Sequence, residues 1–200
     1  MKYLELSEEN TREESRKLAQ KIKKDFIPEI VIFVAKGSYY IGDEISKYFN
    51  IPLIEIKAER QKGKLKQIVA PLLKVIPSSI KKILREFEVK SNIHKKNSER
   101  KVSLEEKYLK ELVKYKKVLL VDDSIYTGNT IKQIVDYLKK YNLELKIAGL
   151  NVFSMSEEVI KIDYYNYKDT LLNGPWSNDS KYYDKFIGDY IKWINLENYN

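Results

Sequence analysis

The stretch VLLVDDSIYTGNT, residues 118–130, decides how this sequence folds. It opens with a continuous apolar run, which predicts a strand at residues 118–121 that is covered on both faces, as in a parallel sheet. The residues that follow, 130–140, have the spacing of an amphipathic helix. Two adjacent aspartates and a Thr-Gly turn therefore stand between a buried strand and a helix.

The segment between this strand and this helix has the composition of a phosphate and sugar site. Ligands of open parallel sheets bind beyond the carboxyl ends of the strands. A loop containing Gly128 that opens a helix offers unpaired backbone N–H groups, which suit a phosphate, and Thr127 and Thr130 add hydroxyl donors. The carboxylates of Asp122 and Asp123 can accept hydrogen bonds from sugar hydroxyls or coordinate a hard cation such as Mg²⁺. The pattern predicts a ribose 5-phosphate site, although an acid-rich strand end before an ordinary helix cap has the same composition.

The rest of the chain alternates strand and helix signals, as α/β folds do. A buried strand is predicted at residues 30–35, followed by a turn at residues 36–38. Ser103, followed three residues later by Glu106, predicts a capping box that opens a helix at residues 103–114. The other predicted helices cover residues 8–24, 40–49, 68–75, 79–87, 156–161 and 182–194, and the other predicted strands cover residues 53–57, 145–152, 163–167 and 169–172.

Length and composition predict one globular domain over residues 1–200. The chain is 43% hydrophobic and contains no cysteine, which excludes disulfides, zinc-thiolate sites and thiol nucleophiles. Its first residues lack the apolar run of a secretory signal, and its apolar stretches are too short to span a membrane. We therefore expect a cytoplasmic protein with no membrane partner.

The net charge of +8 comes from one segment. Residues 57–117 hold 19 Lys and Arg against 7 Asp and Glu, whereas the remainder of the chain is slightly acidic. Such a segment can attract nucleic acid, an acidic membrane surface or a polyanionic small molecule, or it can be a solvated helical surface. We interpret residues 58–114 as a basic, partly helical insertion within the domain.

The stretch at residues 118–130 resembles the signature of type I phosphoribosyltransferases, which bind 5-phosphoribosyl-1-pyrophosphate. The resemblance implies an α/β fold with a twisted, mostly parallel sheet flanked by helices. It also implies that Asp122 and Asp123 hold the ribose hydroxyls, and it makes them the candidate ligands of Mg²⁺. The residues implied to surround the 5-phosphate are Tyr126, Thr127, Gly128, Asn129 and Thr130.

Two further segments resemble short 6-oxopurine enzymes of this family. The segment IFVAKGSYYIGDEI resembles their pyrophosphate loop, so Lys36, Gly37 and Ser38 are implied to bind pyrophosphate. In relatives this turn can hold a non-proline cis peptide bond. The segment IDYYNYKDTLLNGPWSND resembles the closing segment of the xanthine–guanine and hypoxanthine enzymes, which implies that Trp176 stacks on the purine. The resemblance covers residues 8–57 and 115–180.

The sequence departs from the 6-oxopurine pattern at Tyr126. Relatives usually carry an aspartate there that acts on N7 of the purine, and tyrosine is a poor base at neutral pH unless its pKa is perturbed. We keep Tyr126 among the candidate catalytic residues, with Lys36, Asp122 and Asp123. A lysine that contacts the exocyclic group in relatives could be Lys161 or Lys168, between which the sequence does not decide.

The mobile catalytic loop of the family has its natural counterpart at residues 90–101. The lysines of this segment, with Arg100, could neutralise the departing pyrophosphate and close over the site. His94 is the one histidine of the chain. It could act as an acid–base group, or it could be solvated among the lysines.

The sequence therefore predicts a pentosyltransferase of the phosphoribosyltransferase class, with a purine base as the favoured nitrogen acceptor. Two alternatives stay open: an enzyme with a non-purine acceptor, and a non-catalytic regulator that binds a phosphoribosyl ligand, for which the basic segment offers a surface to nucleic acid. Nucleic acid is the less favoured partner. Relatives are commonly dimers, and the sequence leaves a homodimer open.

Overall fold

The structure, a computed structural model, describes residues 2–60 and 99–199. Its contacts divide the chain into one unit of residues 1–58 and 102–200 and a second unit of residues 59–101. The first unit contains all the site residues predicted at the two turns and in the closing segment.

Several predicted features lie outside the described residues. These are the helices expected at residues 68–75 and 79–87, most of the closing loop expected at residues 90–101, and His94. They stay predictions from the sequence.

Among the described residues we number eight strands and five helices in chain order. The strands are β1 (Lys2–Glu5), β2 (Ile30–Val34), β3 (Leu53–Arg60), β4 (Arg100–Ser103), β5 (Lys117–Ile125), β6 (Glu144–Val152), β7 (Tyr164–Lys168) and β8 (Thr170–Asn173). The helices are α1 (Glu8–Ile22), α2 (Tyr39–Phe49), α3 (Glu106–Leu112), α4 (Asn129–Leu138) and α5 (Tyr183–Tyr199). Short 3₁₀ turns follow α4 and β6, at Lys139–Tyr141 and Ser154–Ser156.

Six of the strands form one sheet in the order β4–β3–β2–β5–β6–β7, and β1 pairs with β8 in a second sheet. The neighbours β2–β3, β2–β5, β5–β6 and β6–β7 are parallel. Parallel neighbours require crossover connections. The helix α2 connects β2 to β3 and α4 connects β5 to β6, whereas the segment between β6 and β7 contains only the 3₁₀ turn Ser154–Ser156. The predicted α/β class with a mostly parallel sheet is confirmed. No helix within the described part of the chain is long and apolar enough to cross a membrane.

The strand β5 explains why both faces of this sheet are covered. Its side chains alternate between the faces, so Val118 and Leu120 pack in the hydrophobic cluster that includes residues of α3 and α4. Leu119 and Val121 pack in the cluster that includes residues of α1 and α2. One continuous apolar run therefore fills two layers, as the sequence predicted.

Several predictions about these elements are wrong. The strands β1 and β4 were not predicted, the strand predicted at residues 53–57 continues to Arg60, and the helix predicted at residues 182–194 continues to Tyr199. The strand predicted to stop at residue 121 continues through both aspartates to Ile125. The capping box at Ser103 does not form, because Ser103 is the last residue of β4 and α3 begins at Glu106 after Glu105, with no side-chain cap. The helix predicted at residues 156–161 is replaced by the 3₁₀ turn Ser154–Ser156.

Candidate active site

Two turns meet at the carboxyl edge of the sheet because β2 and β5 are parallel neighbours. The strand β2 ends at Val34, and in the turn that follows the peptide bond between Ala35 and Lys36 is cis. The strand β5 ends at Ile125, and α4 begins at Asn129. The predicted pyrophosphate turn and the predicted 5-phosphate turn therefore follow adjacent strands at one edge of the sheet.

The turn after β2 approaches the acid pair at Gly37. A Cβ atom on Gly37 would lie 2.8 Å from Oδ1 of Asp123 and 3.6 Å from Cδ1 of Trp176. Only a residue without a side chain lets the backbone come this close to the carboxylate. Three segments that are far apart in the sequence meet at this point, and each was predicted to hold a different part of the ligand.

Trp176 borders this meeting point from the C-terminal segment. Its indole lies close enough to the Asp123 carboxyl group to lower the pKa of that group. Its ring lies against Gly174, where an added Cβ would come within 2.3 Å of a ring carbon. The half-buried indole therefore offers an aromatic surface directly beside one of the two predicted ribose-binding acids.

The environment of Asp123 favours its protonated form. Burial raises the pKa of Asp123 from 3.8 to about 6, and interactions with the Asp122 side chain, the backbone N–H groups of Asp123 and Ser124, and Trp176 limit the rise. A carboxyl group whose pKa lies well above its ordinary value is common at functional sites.

Asp122 and Asp123 are not equivalent, because β5 continues through them. Consecutive strand residues alternate between the two faces, yet the Asp122 side chain stays close enough to Asp123 to lower the pKa of that neighbour. Asp122 is 9% exposed, and its Oδ1 accepts a hydrogen bond from the backbone N–H of Asp123 at 3.0 Å. Asp123 is the member that reaches Gly37 and Trp176.

The predicted phosphate turn ends in a left-handed glycine. Gly128 has φ +72° and is the N-cap of α4, where it has no side chain to satisfy the first-turn amides. The hydroxyl oxygen of Thr127 accepts a long hydrogen bond, 3.4 Å, from the N–H of Asn129. The first turn of α4 therefore has the open, amide-rich end that an anion favours.

We expect Gly128→Ala to lower the free energy of unfolding by about 1–2 kcal/mol, because alanine must adopt a left-handed backbone there. The added Cβ would also lie 3.0 Å from the carbonyl oxygen of Ser156, so the turn must shift. Urea denaturation measures the first effect. Gly188→Ala is the matched control, because its Cβ would meet nothing within 4 Å. Equal stability of the two variants would contradict the left-handed geometry.

The ring of Tyr126 contacts another aromatic side chain. Its ring stacks on Phe153, with centroids 4.2 Å apart and an interplanar angle of 14°. Phe153 directly follows β6 and is almost fully buried. Sequence reasoning missed Phe153, because the contact joins two strand ends and has no local signal.

The two polar residues of the pyrophosphate turn are placed differently. Ser38 is buried, and its hydroxyl donates to the carbonyl oxygen of Val34 at 2.5 Å, so its side chain serves the turn itself. Lys36 is exposed, and its Nζ donates to the hydroxyl of Tyr183 at 2.9 Å. Tyr183 is the first residue of α5 and was not predicted as part of the site.

Among the described residues, no contact brings either lysine considered for the exocyclic group to the place where Gly37, Asp123 and Trp176 meet. Lys168 forms an ion pair with Glu157 at 2.8 Å. Lys161 is exposed on the segment before β7. The choice between them stays open.

The fold and the paired turns are those expected of a phosphoribosyltransferase-like protein, and comparison with known proteins identifies the family. Residues 5–178 match the family model described as the phosphoribosyl transferase domain. The chain therefore belongs to the phosphoribosyltransferase family, and the predicted pentosyltransferase class is confirmed. No curated protein matches the sequence significantly.

Solved structures share this fold at low sequence identity. The purine phosphoribosyltransferase of Pyrococcus horikoshii is 20% identical, with a TM-score of 0.60, over 90% of this chain and 97% of that one. The xanthine-guanine-hypoxanthine phosphoribosyltransferase of Helicobacter pylori is 14% identical, with a TM-score of 0.61, over 92% and 99%. A hypothetical protein from Neisseria gonorrhoeae with bound ppGpp is 14% identical, with a TM-score of 0.58, over 94% of each chain. These likenesses confirm the type I phosphoribosyltransferase fold.

Proposed function

We propose that this protein binds 5-phosphoribosyl-1-pyrophosphate and transfers its phosphoribosyl group to a nitrogen atom of a purine base. The observation that supports this most directly is that Gly37, Asp123 and Trp176 meet in space. The first turn of α4 follows Asp123 closely in the sequence. The donor carries a pyrophosphate, a diol and a phosphate. Each has a chemically matching group among these neighbouring segments.

The donor's ribose is assigned to the acid pair. Ionised carboxylates accept hydrogen bonds from hydroxyls, and such charge-assisted bonds are stronger than neutral ones. A carboxylate accepts several hydrogen bonds, so Asp123 can bind a ribose hydroxyl while it stays beside the indole of Trp176. The 5-phosphate is assigned to the turn of residues 126–130, where backbone amides and hydroxyls replace its water shell.

The departing pyrophosphate needs positive charge. Lys36 lies in the turn that follows β2, and its ammonium group is exposed. The basic segment, within which Arg100 and the lysines of residues 90–101 fall, is the proposed second source of charge. These groups would attract the polyanionic donor and stabilise the charge that develops as pyrophosphate leaves.

The acid pair can supply only part of the coordination shell of a magnesium ion. Within the described residues there is no group of three or more His, Cys, Asp or Glu that could hold a metal. Asp122 and Asp123 would contribute carboxylate oxygens, and the remaining ligands would come from the donor and water, as is usual for Mg²⁺. When bound, the ion would help to neutralise the pyrophosphate.

The purine acceptor is assigned to the surface formed by the indole of Trp176. The indole of Trp176 offers a flat surface on which a purine can stack, and offset stacking is a favourable arrangement for aromatic rings. The stacked pair of Tyr126 and Phe153 follows the neighbouring strand ends. With the base held, the protein's task is to orient its nitrogen toward C1 of the ribose, which can supply much of the rate enhancement.

A panel of acceptors tests this proposal. We expect wild type, supplied with the donor and Mg²⁺, to convert at least one of guanine, hypoxanthine and xanthine to its nucleotide, detected by mass spectrometry. Trp176→Leu is expected to raise the KM for the base by about tenfold, because stacking on an aromatic side chain contributes about 1–3 kcal/mol per base. Ile191→Ala, an exposed residue on α5, is the control.

Other outcomes would redirect the assignment. Turnover confined to non-purine nitrogen acceptors would overturn the purine assignment while retaining the enzyme. Tight donor binding without turnover of any acceptor would favour a regulator that senses the phosphoribosyl ligand.

A further inference from the structure

The exposed lysine of the pyrophosphate turn has a partner on the C-terminal helix. The Nζ atom of Lys36 lies 2.9 Å from the hydroxyl of Tyr183 and 5.2 Å from the centroid of its ring. An exposed lysine otherwise samples many rotamers, and fixing such a side chain costs about 1.5–2 kcal/mol of conformational entropy. Two simultaneous contacts to one residue restrict that freedom before any ligand arrives.

Tyr183 can do this because α5 is firmly anchored. Three residues beyond Tyr183, Phe186 is fully buried and packs edge-to-face on Tyr40, with centroids 5.0 Å apart. Asp189 accepts a 2.6 Å hydrogen bond from the hydroxyl of Tyr40. Tyr190 donates to Glu55 of β3, an acid that is 2% exposed. The helix is thus tied to both α2 and the sheet.

The start of α5 is also defined locally. The backbone N–H of Tyr183 donates to the carbonyl oxygen of Ser180 at 3.1 Å, and the hydroxyl of Ser180 accepts from the N–H of Tyr182 at 3.2 Å. Ser180 is 8% exposed. Tyr183 therefore projects from a fixed point, not from a frayed helix end.

The chemistry of the contact suits a lysine that has to meet an anion. The hydroxyl and the aromatic ring are neutral, so they orient the ammonium group without cancelling its charge, as a carboxylate would. An ammonium group has three N–H donors, and the bond to Tyr183 uses one of them. The others remain for an anionic ligand.

We infer that Tyr183 is a positioning residue, which holds the Lys36 ammonium group ready for the pyrophosphate of the donor. The inference rests on the proposed function in that it takes the turn after β2 as the pyrophosphate site. It adds a residue of the C-terminal helix, outside the predicted site segments, to the machinery that binds the donor.

Calorimetric titration of inorganic pyrophosphate, together with donor kinetics, tests this inference. We expect Tyr183→Phe, which keeps the ring, to weaken pyrophosphate binding about threefold, and Tyr183→Leu, which removes both contacts, about tenfold. The KM for the donor should rise in parallel, while the KM for the base stays unchanged. Tyr182→Phe, at the adjacent position, is the control and should match wild type.

A double-variant comparison separates positioning from a general structural effect. In a Lys36→Met background, Tyr183→Phe should have no further effect on pyrophosphate binding, because the group that it positions is gone. An effect of the same size in both backgrounds would overturn the inference. So would wild-type pyrophosphate affinity in Tyr183→Leu.

The same experiment keeps this inference apart from the proposed function. If wild type binds pyrophosphate but transfers phosphoribose to no acceptor, the proposed function fails while the binding comparison still decides the role of Tyr183. If wild type turns over and both Tyr183 variants match it in donor KM and pyrophosphate affinity, the inference fails alone.

Discussion

Replacing Gly37 with alanine is expected to reduce kcat/KM for the donor by about 10²-fold or more, because small misplacements at a reacting site have effects of that size. The new Cβ would lie 2.8 Å from Oδ1 of Asp123, a separation that real Cβ atoms essentially never show. Either the turn or the carboxylate must move, and in both cases the pyrophosphate and ribose sites lose their relative placement. Steady-state kinetics with varied donor measures the loss.

Gly188→Ala is the control for this experiment. Gly188 lies within α5, and its added Cβ would meet nothing within 4 Å. Alanine is favoured over glycine inside a helix by roughly 0.5–1 kcal/mol, so this variant should be at least as stable as wild type and fully active. Near-normal kcat/KM in Gly37→Ala would contradict the contact on which the site is built.

Asp123→Asn is expected to separate stability from activity. Activity should fall by at least about 10²-fold, because hydrogen bonds that a carboxylate accepts are among the stronger ones. The free energy of unfolding at pH 7 should instead rise, on the order of 1 kcal/mol, because the variant removes a charge that burial disfavours. Such opposite effects are typical of a site in which function conflicts with stability.

The raised pKa of Asp123 determines how the stability difference between wild type and Asp123→Asn changes with pH. Asp123 has a folded-state pKa of about 6, above the ordinary value of 3.8, so the folded protein binds the extra proton between these values. The contribution of Asp123 to the stability of wild type should therefore fall as the pH rises from about 4 to about 6. The advantage of Asp123→Asn should vanish as the pH is lowered through that window, because both side chains are then neutral.

Asp136→Asn is the matched control on the surface of α4. The pKa of Asp136 is lowered by hydrogen bonds from Lys139 and Lys132, the reverse of Asp123. This variant should keep full activity and gain no stability at pH 7. A stability gain in Asp136→Asn equal to that in Asp123→Asn would contradict the assignment of the effect to the buried carboxyl group.

Local sequence patterns predicted the elements of the fold well, because their signals are local. The apolar run of β5 required helices on both faces of the sheet, and the Gly128 turn required an exposed helix start. The capping box at Ser103 failed because a neighbouring strand took the backbone of that residue into its ladder. Propensity gives way to tertiary pairing in such cases.

The sequence indicated the segments of the candidate site but not the contacts between them. Nothing local indicates that the indole of Trp176 lies beside Asp123, that Phe153 stacks on Tyr126, or that Lys36 donates to Tyr183. Each of these contacts joins strand ends or a helix start that only the folded sheet brings together. The inequality of the two acids was also hidden, because it depends on β5 continuing through them.

Pyrophosphate release from 5-phosphoribosyl-1-pyrophosphate is the measurement that tests the central claim most directly. Wild type and the Asp122→Asn/Asp123→Asn double variant are compared in the presence of Mg²⁺ and the best purine of the panel, after circular dichroism confirms that both are folded. We predict stoichiometric formation of pyrophosphate and purine nucleotide by wild type and none above background by the double variant. Release by the double variant at the wild-type rate, or no release by wild type with any purine, would contradict the account.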